Sequence, residues 1–249
     1  MTPKTHHSLL ERASFALRRP DLLSRRILGK GGDIHLDEVA PYLTDSPVIL
    51  EAGACDGTDT VKFAQRWPGA TIYAFEPVPE LFAEVERRTS HLAQVRRYQM
   101  ALSDSTGSAE LNVLGDPTDE SGSRGMSSLF LRKTGNPQKP GTPVTHWSYF
   151  THPIEVQTMT IADWAHGEGI DQIDFMWLDM EGMELPALRA AGSLLETTRA
   201  IGMEVTREER YASGCPLYDE ILSWMKGQGF RPAIDRVMQW YGNILFVRY

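Results

Sequence analysis

Short apolar runs alternate with helix-like segments over most of the chain, and this alternation constrains the fold more than any other feature of the sequence. Residues 48–50 form the first apolar run, and a helical pattern follows at residues 58–66, with Thr58 as its expected N-cap. Strands that alternate with helices are joined by right-handed crossovers, which leave the strands parallel within one sheet. The sequence therefore predicts an α/β fold with a doubly wound, mostly parallel sheet.

The remaining elements complete this prediction. Further strands are expected at residues 70–75, 95–102, 111–114, 154–159, 173–178 and 200–205, with a terminal antiparallel strand pair at 230–234 and 243–247. Helices are expected at residues 8–29, 35–43, 81–89, 161–165, 183–195 and 218–226. Together these elements predict a Rossmann-like architecture with a seven-stranded sheet.

Two segments fall outside the alternation and set the predicted domain organisation. Residues 1–45 are expected to form an N-terminal helical arm, and residues 46–249 a single α/β domain. Residues 115–153 interrupt that domain with many glycines and prolines, and they end in an aromatic stretch that contains His146 and His152. A long irregular insert of this kind is typical of a lid or substrate loop, with disorder as the alternative.

The charge and composition of the chain indicate which binding partners and which cellular compartment to expect. The net charge of −8 disfavours nucleic acid as a partner, although residues 1–30 carry seven basic against two acidic side chains. This basic arm fits either peripheral contact with an anionic membrane surface or a solvated helix beside the core. Two cysteines are too few for a disulfide framework, and no apolar run reaches the ~20 residues of a membrane span. Because no signal-peptide pattern is present either, we expect a cytoplasmic protein.

A glycine-rich turn follows the first predicted strand and reads Glu51-x-Gly53-x-x-x-Gly57. Cys55 stands where a dinucleotide-binding turn has its second glycine, and no Gly-Lys-Ser/Thr follows, as a phosphate loop requires. The two glycines still let the backbone approach a ligand at the carboxyl edge of the sheet. The turn therefore favours a ligand without a pyrophosphate and argues against an NAD-dependent oxidoreductase.

An acidic residue at the end of the second predicted strand adds a ribose-binding group to this edge. Glu76 can accept two hydrogen bonds from a ribose diol, and Glu51 and Asp56 place negative charge close to the same edge. S-adenosylmethionine is an adenosine ligand that has no pyrophosphate and is cationic at its methionine end, so it suits these residues. In the alternative interpretation Glu76 caps a helix and Glu51 is a solvated turn residue.

Two stretches of the chain resemble a known family. Residues 48–80, with Glu-Ala-Gly-Ala-Cys-Asp-Gly and then Phe-Glu-Pro, look like a class I S-adenosylmethionine-dependent methyltransferase. Residues 170–184, which contain Asp179-Met180-Glu181-Gly182-Met183-Glu184, are similar to the Asp-x-Glu-Gly-x-Glu signature of the FkbM family. The resemblance covers about residues 48–247. It departs from the family at Trp177, where the family often has a lysine, and at Ala190 or Ala191, where a glycine is usual.

The resemblance implies S-adenosylmethionine-dependent O-methylation of a hydroxyl on a sugar, a glycolipid or a polyketide-type natural product. It assigns Gly53, Ala54 and Gly57 to the methionine end of the cofactor and Glu76 to the ribose. Ala101 and Leu102 would flank the adenine, and Asp179 would lie near the reactive methyl group.

An aliphatic hydroxyl is a weak acid, so methyl transfer needs a group that removes its proton or stabilises the alkoxide. Candidate general bases are Asp179, Glu181 and Glu204 at neighbouring strand ends, together with His146 and His152 in the insert. The three carboxylates also form an oxygen ligand set that suits Mg²⁺. The sequence leaves both the metal-free base and the Mg²⁺ site open.

The sequence also allows functions other than O-methylation. A non-catalytic binding or scaffold protein on a methyltransferase fold is the alternative, since a fold alone does not secure a function. Methylation of nucleic acid or protein is disfavoured by the net charge and by the lack of an Asn-Pro-Pro-Tyr-like tetrapeptide. The sequence does not identify the acceptor and leaves open whether the chain forms a homo-oligomer.

Overall fold

Helices and strands alternate along the chain as expected. The computed structural model describes residues 32–114, 127–130, 151–209 and 214–249. In these ranges the strands are β1 (Val48–Ala52), β2 (Thr71–Phe75), β3 (Val95–Tyr98), β4 (Ala101–Leu102), β5 (Gly107–Leu114), β6 (Thr151–Met159), β7 (Phe175–Leu178), β8 (Ala200–Thr206), β9 (Phe230–Asp235) and β10 (Tyr241–Arg248). The α-helices are α1 (Leu36–Val39), α2 (Thr58–Arg66), α3 (Pro79–Thr89), α4 (Ile161–Glu168), α5 (Glu184–Arg189), α6 (Leu194–Thr197) and α7 (Tyr218–Gly227), and a 3₁₀ turn at Ala40–Tyr42 follows α1.

Seven strands form the main sheet in the order β3-β2-β1-β7-β8-β10-β9. The first five of these are mutually parallel, whereas β10 runs antiparallel to both β8 and β9. The predicted fold class and the terminal antiparallel pair are thereby confirmed. The chain order reverses between β1 and β7, and in open α/β sheets the crevice at such a reversal is where ligands bind.

Apolar side chains cover both faces of the main sheet, which explains why its strands read as continuous apolar runs. Leu50 and Met176 are fully buried on one face, and Ile49 and Phe175 are fully buried on the other. Helix α2 packs on the second face through Phe63, whose ring meets that of Phe175 edge to face at 6.0 Å. The two apolar layers fix the sheet and hold its carboxyl edge in place.

A second, three-stranded sheet departs from the prediction. Residues 95–102 were expected as one strand, but β3 ends at Tyr98 and β4 leaves the main sheet to pair with β6. The order in this small sheet is β4-β6-β5. Its pairing is non-local in sequence, so the apolar pattern of residues 95–102 alone could not separate the two strands.

Two helix boundaries also differ from the prediction. Residues 183–195 form two helices, α5 and α6, because the chain turns between them at Gly192 with a left-handed φ of +59°. The N-cap of α2 is Gly57, with a φ of +78°, so Thr58 is the first helical residue. The Thr58 N–H donates to the Asp56 carboxylate at 3.0 Å, which supplies part of the capping that a Thr58 side chain was expected to give.

The predicted N-terminal arm and the predicted insert are only partly covered by the described residues. The helix at 8–29 and most of the insert lie outside them, but β6 begins at Thr151, so the last three residues of the predicted insert belong to a strand. One compact unit spans Ile34–Tyr249, and Val39 is fully buried in the same cluster as Phe63. Residues 34–45, assigned to the arm from the sequence, therefore pack with the sheet. Among the described helices none is long and apolar enough to cross a membrane.

Candidate active site

The glycine turn after β1 is tied to both neighbouring strands. The N–H groups of Gly53 and Ala54 donate to the Phe75 carbonyl at the end of β2, at 3.0 and 2.9 Å. On the other side, the Asp179 N–H donates to the Ala52 carbonyl at 3.0 Å. Gly53 has a φ of +85°, and a Cβ on it would lie 2.0 Å from the Asp179 carbonyl oxygen. Only glycine fits there, and the turns after β1 and β7 are in direct backbone contact as a result.

Glu76 closes the same edge at the end of β2. Its buried carboxylate accepts the Cys55 N–H at 2.8 Å and the Val78 N–H at 2.9 Å, so it holds the glycine turn and the chain leading into α3. Burial raises the pKa of Glu76 to about 7, against the lowering effect of these two hydrogen bonds. Among the described residues, each carboxylate oxygen accepts one hydrogen bond and has a second lone pair, which leaves acceptor capacity for a ribose diol.

Glu51 lies in strand β1 rather than in the turn. Its side chain is fully buried and accepts the Thr60 hydroxyl of α2 at 2.6 Å. Burial raises the pKa of Glu51 to about 8. Trp177 pairs with Glu51 in the register of β1 and β7, so it occupies the strand position opposite this carboxyl. The alternative that Glu51 is a solvated turn residue is wrong.

The outer part of the turn contacts helix α3. Cys55 adopts a left-handed backbone with a φ of +53°, and burial raises the pKa of its thiol to about 12. The Asp56 carboxylate forms an ion pair with Arg88 of α3 at 2.9 Å. Gly57 also packs on α3, since a Cβ on it would lie 3.1 Å from the Val85 Cα. These contacts fix the position of the turn over the carboxyl edge of the sheet.

The two residues assigned to the adenine lie in the second sheet. Ala101 and Leu102 form β4, pair with Thr158 and Met159 of β6, and are both buried. Leu102 belongs to the core cluster that contains Phe75 at the end of β2. The structure thus connects β4 to the carboxyl edge of the main sheet through apolar packing.

Three carboxylates meet at the carboxyl edge of the sheet, two from the turn after β7 and one from Glu204 near the end of β8. Oxygen atoms of Asp179, Glu181 and Glu204 all lie within 4.8 Å of one another. Asp179 is exposed, Glu204 is half-buried, and Glu181 is buried with a left-handed φ of +51°. A cavity of about 20 Å³, roughly the volume that one water occupies, borders this cluster. It is lined by Glu181, Gly182, Glu184, Glu204, Val205, Thr206, Cys215, Pro216 and Ile221.

Two further residues that were not among the predicted site residues hold this cluster. Glu184 accepts the N–H groups of Met180 and Gly182, and burial raises the pKa of Glu184 to about 8. Ser128 is buried and donates its hydroxyl to the Glu181 carbonyl at 2.7 Å. Glu184 is the last acid of the Asp-x-Glu-Gly-x-Glu pattern, which offered a signal, whereas nothing in the local sequence marks Ser128.

Of the two histidines expected in the insert, His152 has a described backbone. His152 was expected in a lid loop, but its backbone belongs to β6, where it pairs with Val113 of β5. Strand pairing of the segment that follows the insert overrides its loop-like composition. His146 lies outside the described residues.

Solved structures with a similar chain course include the fibrillarin/Nop5p complex, with a TM-score of 0.48 and 12% identity over 83% of this chain and 75% of that chain. A likeness this remote carries no argument about activity. Curated sequence relatives are more informative. The 2-O-methyltransferase NoeI of Sinorhizobium fredii (strain NBRC 101917 / NGR234) is 29% identical over 186 residues, which are 74% of this chain and 73% of that protein.

A second relative is fungal. Methyltransferase 1 of Beauveria bassiana (strain ARSEF 2860) is 28% identical over 159 residues, 61% of this chain and 61% of that protein. The profile of the Methyltransferase FkbM domain matches residues 51–232, which contain the glycine turn, Glu76 and all three clustered acids. This match spans well over half of the chain and includes the carboxyl edge described above. The chain therefore belongs to the FkbM family of methyltransferases.

Proposed function

We propose that this protein transfers the methyl group of S-adenosylmethionine to a hydroxyl of a sugar, a glycolipid or a polyketide-type natural product. The observation that carries the proposal is the convergence of the glycine turn, Glu76 and the three-carboxylate cluster at one crevice of the sheet. The relative named a 2-O-methyltransferase supports oxygen as the acceptor atom. A non-catalytic scaffold would have no need for two strained turns that meet at this crevice.

The residues at the crevice fit S-adenosylmethionine. Gly53, Ala54 and Gly57 would hold its methionine end, because the turn presents backbone rather than bulky side chains at the switch point. Glu76 would accept the ribose hydroxyls with its remaining lone pairs. Ala101 and Leu102 would lie beside the adenine. Glu51, whose buried carboxyl has a pKa raised to about 8, and Asp56, which is paired with Arg88, would support the turn instead of adding the negative charge expected from the sequence. The cofactor supplies an electrophilic methyl group on a sulfonium sulfur.

Asp179 is the residue we assign to the proton of the acceptor. Asp179 is exposed, whereas Glu181 is buried and Glu204 is half-buried. The hydroxyl oxygen attacks the methyl carbon in line with the carbon–sulfur bond, and the C–O bond forms as the C–S bond breaks. The proton passes to the Asp179 carboxylate, which keeps the attacking oxygen nucleophilic.

A Mg²⁺ ion is the second way in which the same cluster could act. The three oxygens within 4.8 Å of one another and the neighbouring cavity of about 20 Å³ suit a small hard cation that retains a water molecule. Asp179, Glu181 and Glu204 would hold the ion, which would lower the pKa of the bound hydroxyl. Turnover that survives EDTA supports the metal-free base, and loss that Mg²⁺ restores supports the cation.

The insert is assigned to the acceptor side. One described part of it, residues 127–130, reaches the cluster because the Ser128 hydroxyl donates to the Glu181 carbonyl. We therefore propose that residues 115–150 act as a substrate loop and that the basic residues of the N-terminal arm, which lie before the part packed on the sheet, contact an anionic surface.

The first experiment is calorimetric titration with S-adenosylmethionine, with NAD as the control ligand. Saturable binding of S-adenosylmethionine alone is expected. Labelled cofactor is then incubated with panels of glycosides, glycolipids and polyketides, and the labelled products are analysed by mass spectrometry for the methylated atom. Binding to neither ligand would support the scaffold alternative, and a methylated nitrogen would overturn the assignment of oxygen.

Replacing Asp179 tests the assigned base. We expect Asp179→Asn and Asp179→Ala to lower kcat by about 10²-fold or more, since a positioned general base contributes about that much. The Kd for S-adenosylmethionine is expected to stay within about threefold, because only the proton acceptor is lost. Asp171→Asn, at an exposed position before β7, is the matched control. An Asp179→Ala enzyme with normal turnover would exclude this residue from the chemistry.

A further inference from the structure

The turn between β7 and α5 carries two of the three clustered acids, and its own backbone is folded around a fourth acid, Glu184. The Met180 N–H donates to one oxygen of the Glu184 carboxylate at 2.8 Å, and the Gly182 N–H donates to the other oxygen at 3.0 Å. The Glu184 side chain is 3% exposed. A single buried carboxylate thus satisfies both N–H groups that flank Glu181.

The two hydrogen bonds flank a residue with a strained backbone, and the backbone of that residue orients the Glu181 side chain. Glu181 has a φ of +51°, and Gly182 follows with a φ of +113°. A left-handed conformation costs a non-glycine residue roughly 1–2 kcal/mol, so the turn needs contacts that hold it. The two hydrogen bonds to Glu184 lie on either side of the strained residue, where they oppose its return to an ordinary conformation.

Ser128, in the described part of the insert, makes a second contact with the backbone of Glu181. The Ser128 hydroxyl donates to the Glu181 carbonyl at 2.7 Å and accepts the Phe130 N–H at 3.0 Å. Ser128 itself pairs through its backbone with Asn112 of β5. The backbone of Glu181 is therefore fixed through its carbonyl by the insert and through its flanking N–H groups by Glu184.

We infer that Glu184 is a positioning residue for methyl transfer: its carboxylate sets the conformation of residues 179–182 and so brings Glu181 to Asp179 and Glu204. This inference rests on the proposed function, because the cluster that it positions is the one we assign to the acceptor hydroxyl. Glu184 acts through the turn. It lies beneath the turn, and its two oxygens face backbone N–H groups.

The Glu184→Gln variant tests this role. Glutamine keeps the size of the side chain but turns one acceptor oxygen into an NH₂ group, which faces a backbone N–H and cannot accept from it. We expect kcat to fall by about 10- to 100-fold, because a misplaced catalytic group costs about that much. The Kd for S-adenosylmethionine is expected to stay within about threefold, since residues 53–57 and Glu76 are untouched.

Glu196→Gln, at an exposed position of α6, is the matched control and is expected to keep the parental kcat and Kd. A parallel loss of cofactor affinity and kcat in Glu184→Gln would show a general structural role and overturn the inference. An unchanged kcat would overturn it as well.

Amide hydrogen exchange provides a readout that needs no turnover, and its first measurement uses the parent protein alone. In the parent protein the Met180 and Gly182 amides should exchange slowly, and in Glu184→Gln at least one of them should exchange faster. If Glu184→Gln does not fold, Glu184→Asp, which is shorter by one methylene, takes its place in both measurements. Fast exchange of both amides in the parent protein contradicts the inference. Slow exchange in a parent protein that methylates no acceptor would instead show that the proposed function has failed.

Discussion

At the scale of single residues, backbone strain marks the two turns of the site. Among the described residues, Cys55 and Glu181 are the non-glycine positions with a positive φ, and they lie in the turns after β1 and β7. Such conformations persist only where surrounding contacts hold them, and they cluster at functional sites. The Cys55 N–H is bound by Glu76, and the amides flanking Glu181 are bound by Glu184. A buried acid thus stabilises each strained residue.

Substitution of Cys55 should follow this backbone conformation rather than thiol chemistry. Cys55→Gly is expected to stay within about 1 kcal/mol of the parent in the free energy of unfolding, because relief of strain offsets the added chain entropy. Cys55→Val is expected to lose about 1–2 kcal/mol, since a β-branched residue disfavours a φ of +53°. Urea unfolding followed by tryptophan fluorescence measures both. A Cys55→Val protein as stable as Cys55→Gly would refute the strain argument.

At the scale of elements, the contact between β7 and β8 depends on a large and a small residue. Trp177 and Gly202 pair in the register of these strands, and Trp177 also contacts the Phe63 ring of α2. A Cβ on Gly202 would lie 2.7 Å from the Trp177 Cε3 atom. The large Trp177 side chain is thus accommodated by a glycine on the neighbouring strand.

Gly202→Ala should therefore destabilise the sheet. We expect a loss of about 1–3 kcal/mol in the free energy of unfolding, the usual cost of overpacking a filled core. Gly227→Ala is the matched control, because a Cβ at this position, the end of α7, meets no atom of another described element within 4 Å. That control should be neutral or slightly stabilising, since alanine favours a helix. Equal melting temperatures for the two variants would contradict the proposed contact.

Helices and strands whose bounds depend on neighbouring residues could be predicted from the sequence. Those whose bounds depend on pairing with a strand far along the chain could not. The bounds of α2 agree with the prediction because its apolar face and its end at Trp67 are local features. The division of residues 95–102 depends on β6, more than 50 residues further along the chain. The clustering of Asp179, Glu181 and Glu204 followed from strand order, whereas Ser128 reaches Glu181 through a fold that its local sequence does not encode.

At the scale of the whole molecule, buried acids make folding dependent on pH. Burial raises the pKa of Glu51 to about 8 from its ordinary value of 4.5, and that of Glu76 to about 7. Between about pH 4.5 and pH 7 to 8, the folded protein therefore keeps these two carboxyl groups protonated, whereas the unfolded chain has already released the protons. Their contribution to the free energy of unfolding is complete below about pH 4.5 and is lost as pH rises through 7 to 8.

The Glu51→Gln variant should reduce this dependence. The amide does not ionise, and its oxygen can still accept the Thr60 hydroxyl, so the loss of stability between pH 6 and 8.5 should be smaller than in the parent. Thermal melting at the two pH values measures the difference. Glu86→Gln, on the exposed side of α3, should keep the parental dependence. An equal pH dependence in Glu51→Gln and the parent would show that Glu51 does not carry this effect.

The backbone contact between Gly53 and Asp179 should couple the effects of substitutions in the two turns. With 2.0 Å between a Cβ at position 53 and the Asp179 carbonyl, a side chain on one turn displaces the other. Substitutions at the two turns should thus be non-additive, with coupling free energies of about 0.5–3 kcal/mol in a double-mutant cycle. Under the proposed function, the cofactor turn and the turn that carries the assigned base would therefore be coupled through this backbone contact.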